Sequence, residues 1–380
     1  MSNKQLTALF ACALIPWTIG NGMLPLLPVY ATRIGASQTV VGLFMAVSYA
    51  ALAVGTLAAG WLSDRYQRRK QMIILSGLVC IPFLLLLGTA QNIWILALYS
   101  SAVFFLGGAA IALTGILAGL FAGEEERGRV FGVLLLAAPV GAVIGGVSTG
   151  LIVDSWGYPA MFAALALFCI LWPLMGFFLA DKVVTSGAGG EGSSELAGFP
   201  RGYYFLMSAS LVSAVALFVM LLVRSLEMDT QGFSAAAVSG AAAVGSIASI
   251  PLLPIIGRLS DRRGRVPYLA LGYAVGIIGV LVLGSALELW QFWMASVFLT
   301  FMVSMNTGLG AALVTDLLPS RVLGRGMSLF NSTIWIGGIL GFASAGYVIQ
   351  NFGTSVSLFA AGILLVVSLG LCIPIRKDTN

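Results

Sequence analysis

The chain contains no histidine, and only 9% of its 380 residues are charged. A water-soluble domain carries roughly a quarter charged residues, so a fold wetted on all sides is excluded. Without histidine, zinc and haem sites lose their commonest nitrogen ligand. The four cysteines, Cys12, Cys80, Cys169 and Cys372, form no CxxC pair, and each lies inside or at the edge of an apolar run. That argues against a disulfide framework and leaves four small buried hydrophobes. No cofactor and no metal is expected. Acids are missing from the interior of the apolar runs as well. All 14 Asp and Glu fall in loops or near the ends of runs, with Asp316 the deepest. Membrane-embedded enzyme chemistry and the usual proton relays need ionisable groups well inside a run. An enzyme is therefore not expected.

What the chain has is apolar length. It is 59% hydrophobic with a mean hydropathy of +1.02. Runs of about 20 residues, the length a helix needs to cross the hydrocarbon core, recur from end to end. Twelve crossings follow: 5–31, 38–62, 70–90, 93–121, 129–153 and 158–180, then 202–226, 234–257, 266–287, 290–318, 326–350 and 353–375. The first run is too long for a cleaved signal core. Residues 181–201 contain Gly-Ala-Gly-Gly-Glu-Gly-Ser-Ser, the one polar low-complexity stretch. It reads as a linker between a bundle over 1–180 and a second over 202–380. The expected class is an all-α integral membrane protein with twelve transmembrane helices in two pseudo-symmetric six-helix bundles.

The halves repeat. Gly60-Trp61-Leu62-Ser63-Asp64-Arg65-Tyr66-Gln67-Arg68 recurs as Gly257-Arg258-Leu259-Ser260-Asp261-Arg262-Arg263-Gly264-Arg265, 197 positions on (257 − 60). An offset of 196 carries Gly128, Gly141, Gly145, Gly150 and Gly157 onto Gly324, Gly337, Gly341, Gly346 and Gly353. Tandem halves of this kind are a plan of secondary transporters. With the N-terminus inside, 17 of the 19 Lys and Arg lie inside and only Arg33 and Arg224 outside. Both termini are therefore expected in the cytoplasm. The net charge of +5 reports topology and not an anionic polymer, so no nucleic-acid partner is expected. The chain is read as a monomer in the cell membrane (inner or plasma membrane), surrounded by lipid.

The duplicated loop resembles the G-x-L-x-D-R-x-G-R signature of the major facilitator superfamily. The second copy keeps every position, and Gln67 replaces a glycine in the first. The resemblance implies a gate: Gly60, Asp64, Arg65 and Arg68, with Gly257, Asp261, Arg262 and Arg265, hold the cytoplasmic side closed in the outward-open state. The fifth run is similar to the glycine motif of drug-efflux members, G-x8-G-x3-G-P-x2-G-G, through Gly132, Gly141, Gly145 and Gly150. Gly146 stands for the proline, Thr149 for a glycine, and Pro139 is an alternative source of a bend. The fourth run lacks the arginine that proton-coupled exporters of the family often carry. A proton or another ion is the coupling partner to be expected. Arg224, Glu227 and Asp229, near the outer surface, are the remaining ionisable candidates.

For the substrate path the sequence offers few polar groups. Trp17, Asn21, Leu24 and Pro28 share a face by i, i+4, i+7, i+11 spacing, and Pro25 leaves the Asn21 carbonyl without its helical donor. Asn306, beside Ser304 and Thr307, and Asn331 with Trp335 complete the set. A greasy, aromatic path suits export of a hydrophobic or amphipathic solute by alternating access. Uptake or exchange of a neutral metabolite such as a sugar is the alternative.

Overall fold

The computed structural model describes residues 2–123, 126–181 and 199–379, and every regular element among them is an α-helix. In the first half these are α1 (Asn3–Met23), α2 (Leu27–Arg33), α3 (Gln38–Tyr66), α4 (Arg69–Leu87), α5 (Ile93–Phe121), α6 (Arg127–Leu135), α7 (Ala137–Cys169) and α8 (Leu171–Phe177). The second half has α9 (Arg201–Thr230), α10 (Ala235–Arg263), α11 (Val266–Gly284), α12 (Leu289–Leu317), α13 (Ser320–Phe352) and α14 (Thr354–Thr379).

Fourteen helices make twelve crossings because proline and glycine break the rods in identifiable places. The first crossing is α1 and α2, interrupted at 24–26 by Pro25, which has no amide to offer the Asn21 carbonyl. α6 stops one turn before Pro139 for the same reason, so the expected bend in the fifth crossing is a break at Leu136. α7 is continuous only nominally. Gly157 takes φ +81°, a left-handed value open to glycine, and turns the fifth crossing into the sixth. Gly353, its repeat partner, does the same at φ +87° between α13 and α14. At 29 residues, α3, α5 and α12 are each roughly 43 Å long at 1.5 Å per residue, enough to span a bilayer with its interfaces.

Within each half the helices pack in matching pairs. α3 lies on α5 and α1 on α7 in the first bundle, α10 lies on α12 and α9 on α13 in the second. Two further pairs join the bundles, α3 with α13 and α7 with α10. The basic loops and both termini mark one end of the molecule, called here the basic end. The opposite end is the far end. Residues 182–198 of the expected linker lie outside the described residues.

Candidate functional site

A cavity opens among α1, α3, α4, α5, α8 and α13. Its walls are Trp17, Asn21 and Leu24 from α1 and its kink, Tyr49 and Leu52 from α3, and Phe104 and Ile111 from α5, with Trp172 and Trp335 from α8 and α13. None of the lining residues is charged. The break at Pro25 ends α1 just where Asn21 and Leu24 turn to the space. Asn21 Nδ2 donates to the Ala138 carbonyl at 3.2 Å, which fixes the amide against α7. Trp172 is 1% exposed, and its buried indole N–H has no hydrogen-bond partner among the described residues. The sequence pass missed Trp172, Tyr49 and Phe104. Nothing in their local pattern sets them apart from other membrane aromatics.

The roof of this cavity is aromatic and belongs to both bundles. Tyr49 meets Phe218 edge-on at 4.8 Å and Phe342 at 5.2 Å between ring centroids, with Phe104 at 5.7 Å and Trp335 at 6.4 Å. Tyr49 lies eleven residues into α3, roughly 16 Å from its far end, close to mid-membrane. From there outward the bundles are in contact. Gly42 and Gly346 approach so closely that a Cβ on Gly346 would stand 2.7 Å from the Gly42 Cα. Gly150 and Gly146 seat α10 in the same manner, against Ala235, Ser239 and Ala243. Polar contacts close the rim. The Asp154 carboxylate accepts from the Ala235 and Ala236 amides at 2.8 and 2.9 Å, Gln350 Oε1 accepts from the Thr39 amide at 2.9 Å, and Arg33 pairs with Asp229 at 3.1 Å.

At the basic end the described residues show no such closure. Gly60 has no neighbour within 4 Å of a built Cβ, α3 runs past it to Tyr66, and Trp61 is 60% exposed. The close approach expected of Gly60 is therefore absent in this conformation. Asp64 is exposed and makes no ion pair among the described residues. Arg65 lies over the rings of Trp61 and Tyr66 on its own helix, and Arg68 is exposed. Gln67 takes the left-handed turn itself, at φ 52° and ψ 23°, whereas Gly264 in the second copy lies at φ 85° and ψ 150°, so both have positive φ but the two turns differ in shape. In that copy Arg265 pairs with Asp316 at 3.1 Å, Arg262 is exposed, and the side chain of Asp261 and the surroundings of Gly257 lie outside the described residues.

The glycines of the fifth crossing divide by task. Gly132 faces open space, Gly141 and Gly145 let α1 approach at Trp17, Thr18 and Gly22, and Gly150 meets α10 across the bundle boundary. Gly337 and Gly341 receive α9 at Ala214, Val215 and Phe218 in the repeat-related manner. Of the other path candidates, Asn306 is spent inside its bundle. Its Oδ1 accepts from Tyr273 at 2.8 Å and its Nδ2 donates to Ser210 at 3.0 Å. Asn331 is exposed and stands away from the cavity that Trp335 lines. Arg224 corrects the sequence reading: it is not a rim residue but 3% exposed inside α9, donating to Ser296 Oγ at 2.8 Å.

Comparisons with known proteins agree with this geometry. The family model of the Major Facilitator Superfamily matches residues 7–281 and 203–380. Multidrug resistance protein MdtG of Klebsiella pneumoniae (strain 342) is 28% identical over 379 residues, covering 93% of this chain and 89% of that protein. MdtG of Salmonella typhimurium is 25% identical over 365 residues, covering 90% and 88%. Among solved structures, nucleoside transporter NupG superposes with a TM-score of 0.78 at 11% identity, covering 99% of this chain and 100% of that one. A bacterial homologue of the lysosomal transporter Spinster, inward-facing and occupied, gives 0.78 at 14%, covering 100% and 98%. At these identities the structures speak for the fold alone. The chain belongs to the major facilitator superfamily and is a multi-pass membrane transporter, not an enzyme.

Proposed function

We propose that this protein exports hydrophobic or amphipathic small molecules of several kinds, a reading supported by its similarity to relatives named multidrug resistance proteins. The observation that carries the reading is the cavity wall: three tryptophans and Tyr49 with a single amide and no charge. Such a wall binds by apolar contact and ring stacking, which tolerates varied shapes. A sugar site would need a ring of fixed hydrogen-bond partners, and here Asn306 is engaged elsewhere.

In this reading the basic end is cytoplasmic, as the charge bias argues, and the far end is outside. The conformation described is then inward-open, with the outer rim shut. The transport cycle moves the two bundles, divided in the 181–201 linker, about the cavity. The outer contacts part, and the loops of Asp64 and Asp261 close the inner side with Arg65, Arg68, Arg262 and Arg265. Trp17, Asn21 and Trp335 contact the solute. The protein works as a monomer and exchanges the solute for protons.

Accumulation of a fluorescent lipophilic dye in cells expressing the protein tests this. The expected result is lower dye than in cells without it, restored by a protonophore. Equal dye in both, together with energised uptake of a radiolabelled neutral sugar, would overturn the export reading.

A further inference from the structure

Arg224 is the charge that the transport reading leaves without work. It lies six residues before the end of α9, roughly 9 Å inside at 1.5 Å per residue. Its guanidinium stays protonated in any protein environment, and a buried charge without a counter-charge is costly. Yet no carboxylate pairs with it among the described residues. Nη1 donates to the neutral Ser296 hydroxyl at 2.8 Å, and the buried Nε has no partner. The Nε–Nη2 edge is the planar two-donor fork that fits a carboxylate.

The position is also specific to the second half. Ser296 corresponds to Ser100 in the first bundle (296 − 196), where the partner is another hydroxyl, Ser48, at 3.0 Å. The counterpart of Ser48 is Gly245, and a Cβ there would stand 2.7 Å from the Ser296 carbonyl. The counterpart of Arg224 is the buried Leu27. One half thus closes a serine pair, while the other removes a side chain and installs a cation. Ser296, Thr300 and Thr307 follow at four and eleven residues along one face of α12, and they run from buried through half-buried to exposed.

The geometry points to an anion subsite at Arg224 and Ser296, outward of the aromatic roof, that takes a monovalent anion. Resting on the export reading, its ligand is the carboxylate head of an amphipathic solute on its way out. A free halide shares the chemistry. The apolar cavity holds the tail, and the guanidinium supplies the counter-charge that the cavity lacks.

Thermal unfolding of the purified protein in a neutral detergent tests the subsite with defined probes. Sodium octanoate is compared with octanol and octyltrimethylammonium, and sodium chloride with sodium methanesulfonate. Octanoate should raise the unfolding temperature of wild type where octanol and the cation do not. In Arg224→Gln its apparent dissociation constant should weaken about tenfold or more, the worth of a charge-assisted hydrogen bond. Protection by chloride that Arg224→Gln removes would identify the free ion as the source and would equally support the subsite. No protection by either anion, or equal protection in Arg224→Gln, overturns it. If Arg224→Gln does not fold, Arg224→Lys decides: it keeps the charge and loses the fork, so octanoate should bind several-fold more weakly, and an unchanged constant counts against the proposal. Dye export that survives while octanoate protection is absent removes the subsite and leaves the export reading standing.

Discussion

Arg33, at the end of α2, and Asp229, near the end of α9, pair across the bundle boundary at 3.1 Å. Arg33 is also 5.3 Å from the Tyr158 ring, which stacks on Tyr30 at 4.6 Å.

Neutralising the pair should do little, because Arg33 is 53% exposed and Asp229 26%. An exposed pair of this kind contributes about 0.2–1 kcal/mol, so Arg33→Gln should shift the balance of inward-open and outward-open forms by less than about fivefold. Asp229→Arg, which sets two cations side by side, should shift it further, and the swap Arg33→Asp with Asp229→Arg should recover it. Distances between spin labels at Ser155 and Asn351 report the balance. A swap no better than Asp229→Arg alone would show that the pair plays no part in the balance.

Asp154 should matter more. It caps α10 of the opposite bundle with two backbone hydrogen bonds, and Gln350 caps α3 with one from the repeat-related position. Losing such a cap costs about 1 kcal/mol, so Asp154→Ala should favour the outward-open form by about fivefold, and Gln350→Ala by less. The same spin-label pair measures both, and equal distributions in wild type and Asp154→Ala would contradict the latch.

Gly150→Ala and Gly132→Ala separate the two parts of the glycine motif. A Cβ at Gly150 collides with Ala235, Ala236 and Ser239, while one at Gly132 meets nothing within 4 Å. Overpacking costs about 1–3 kcal/mol, so Gly150→Ala should abolish or strongly slow dye export while the protein still reaches the membrane. Gly132→Ala should export normally. Slow export by Gly132→Ala with normal export by Gly150→Ala would reverse the assignment.

Asp64 is exposed in the described conformation, so the latch role proposed for it belongs to the other half of the cycle. Asp64→Asn should leave the unfolding temperature of the inward-open protein unchanged and slow transport. Normal transport rates in that variant would end the gate assignment for this loop.

Tyr49 joins the roof to four other rings, each pair worth about 0.5–1.5 kcal/mol beyond area. Tyr49→Ala should therefore weaken binding of a lipophilic dye to the purified protein by at least about tenfold, and Tyr49→Phe should keep it. Dye affinity indifferent to Tyr49→Ala would move the site away from the roof.

Much of this was legible in the chain. Apolar runs of spanning length and glycines held in register are local or periodic signals, so twelve helices in two bundles can be read from them, and the clustered basic residues give the orientation proposed for them. Gly157 and Gly353 are both turns, and Gly141 and Gly337 both seat a helix, because duplicated sequence meets duplicated surroundings. The chain also gave Trp17, Asn21 and Trp335 as path residues, and the cavity includes all three.

What tertiary structure alone decided is which side chains face one another, since that depends on helix rotation and on elements hundreds of residues apart. Asn306 looked free and is held by Tyr273 and Ser210. Trp172 looked like any membrane tryptophan and lines the cavity at 1% exposure. Arg224 looked like a rim charge because its distance from the loop is short in sequence. Only the packing of α9 on α12 shows it buried against a serine with no acid to answer it. Periodicity gives each helix its faces; the contacts between helices decide what those faces meet.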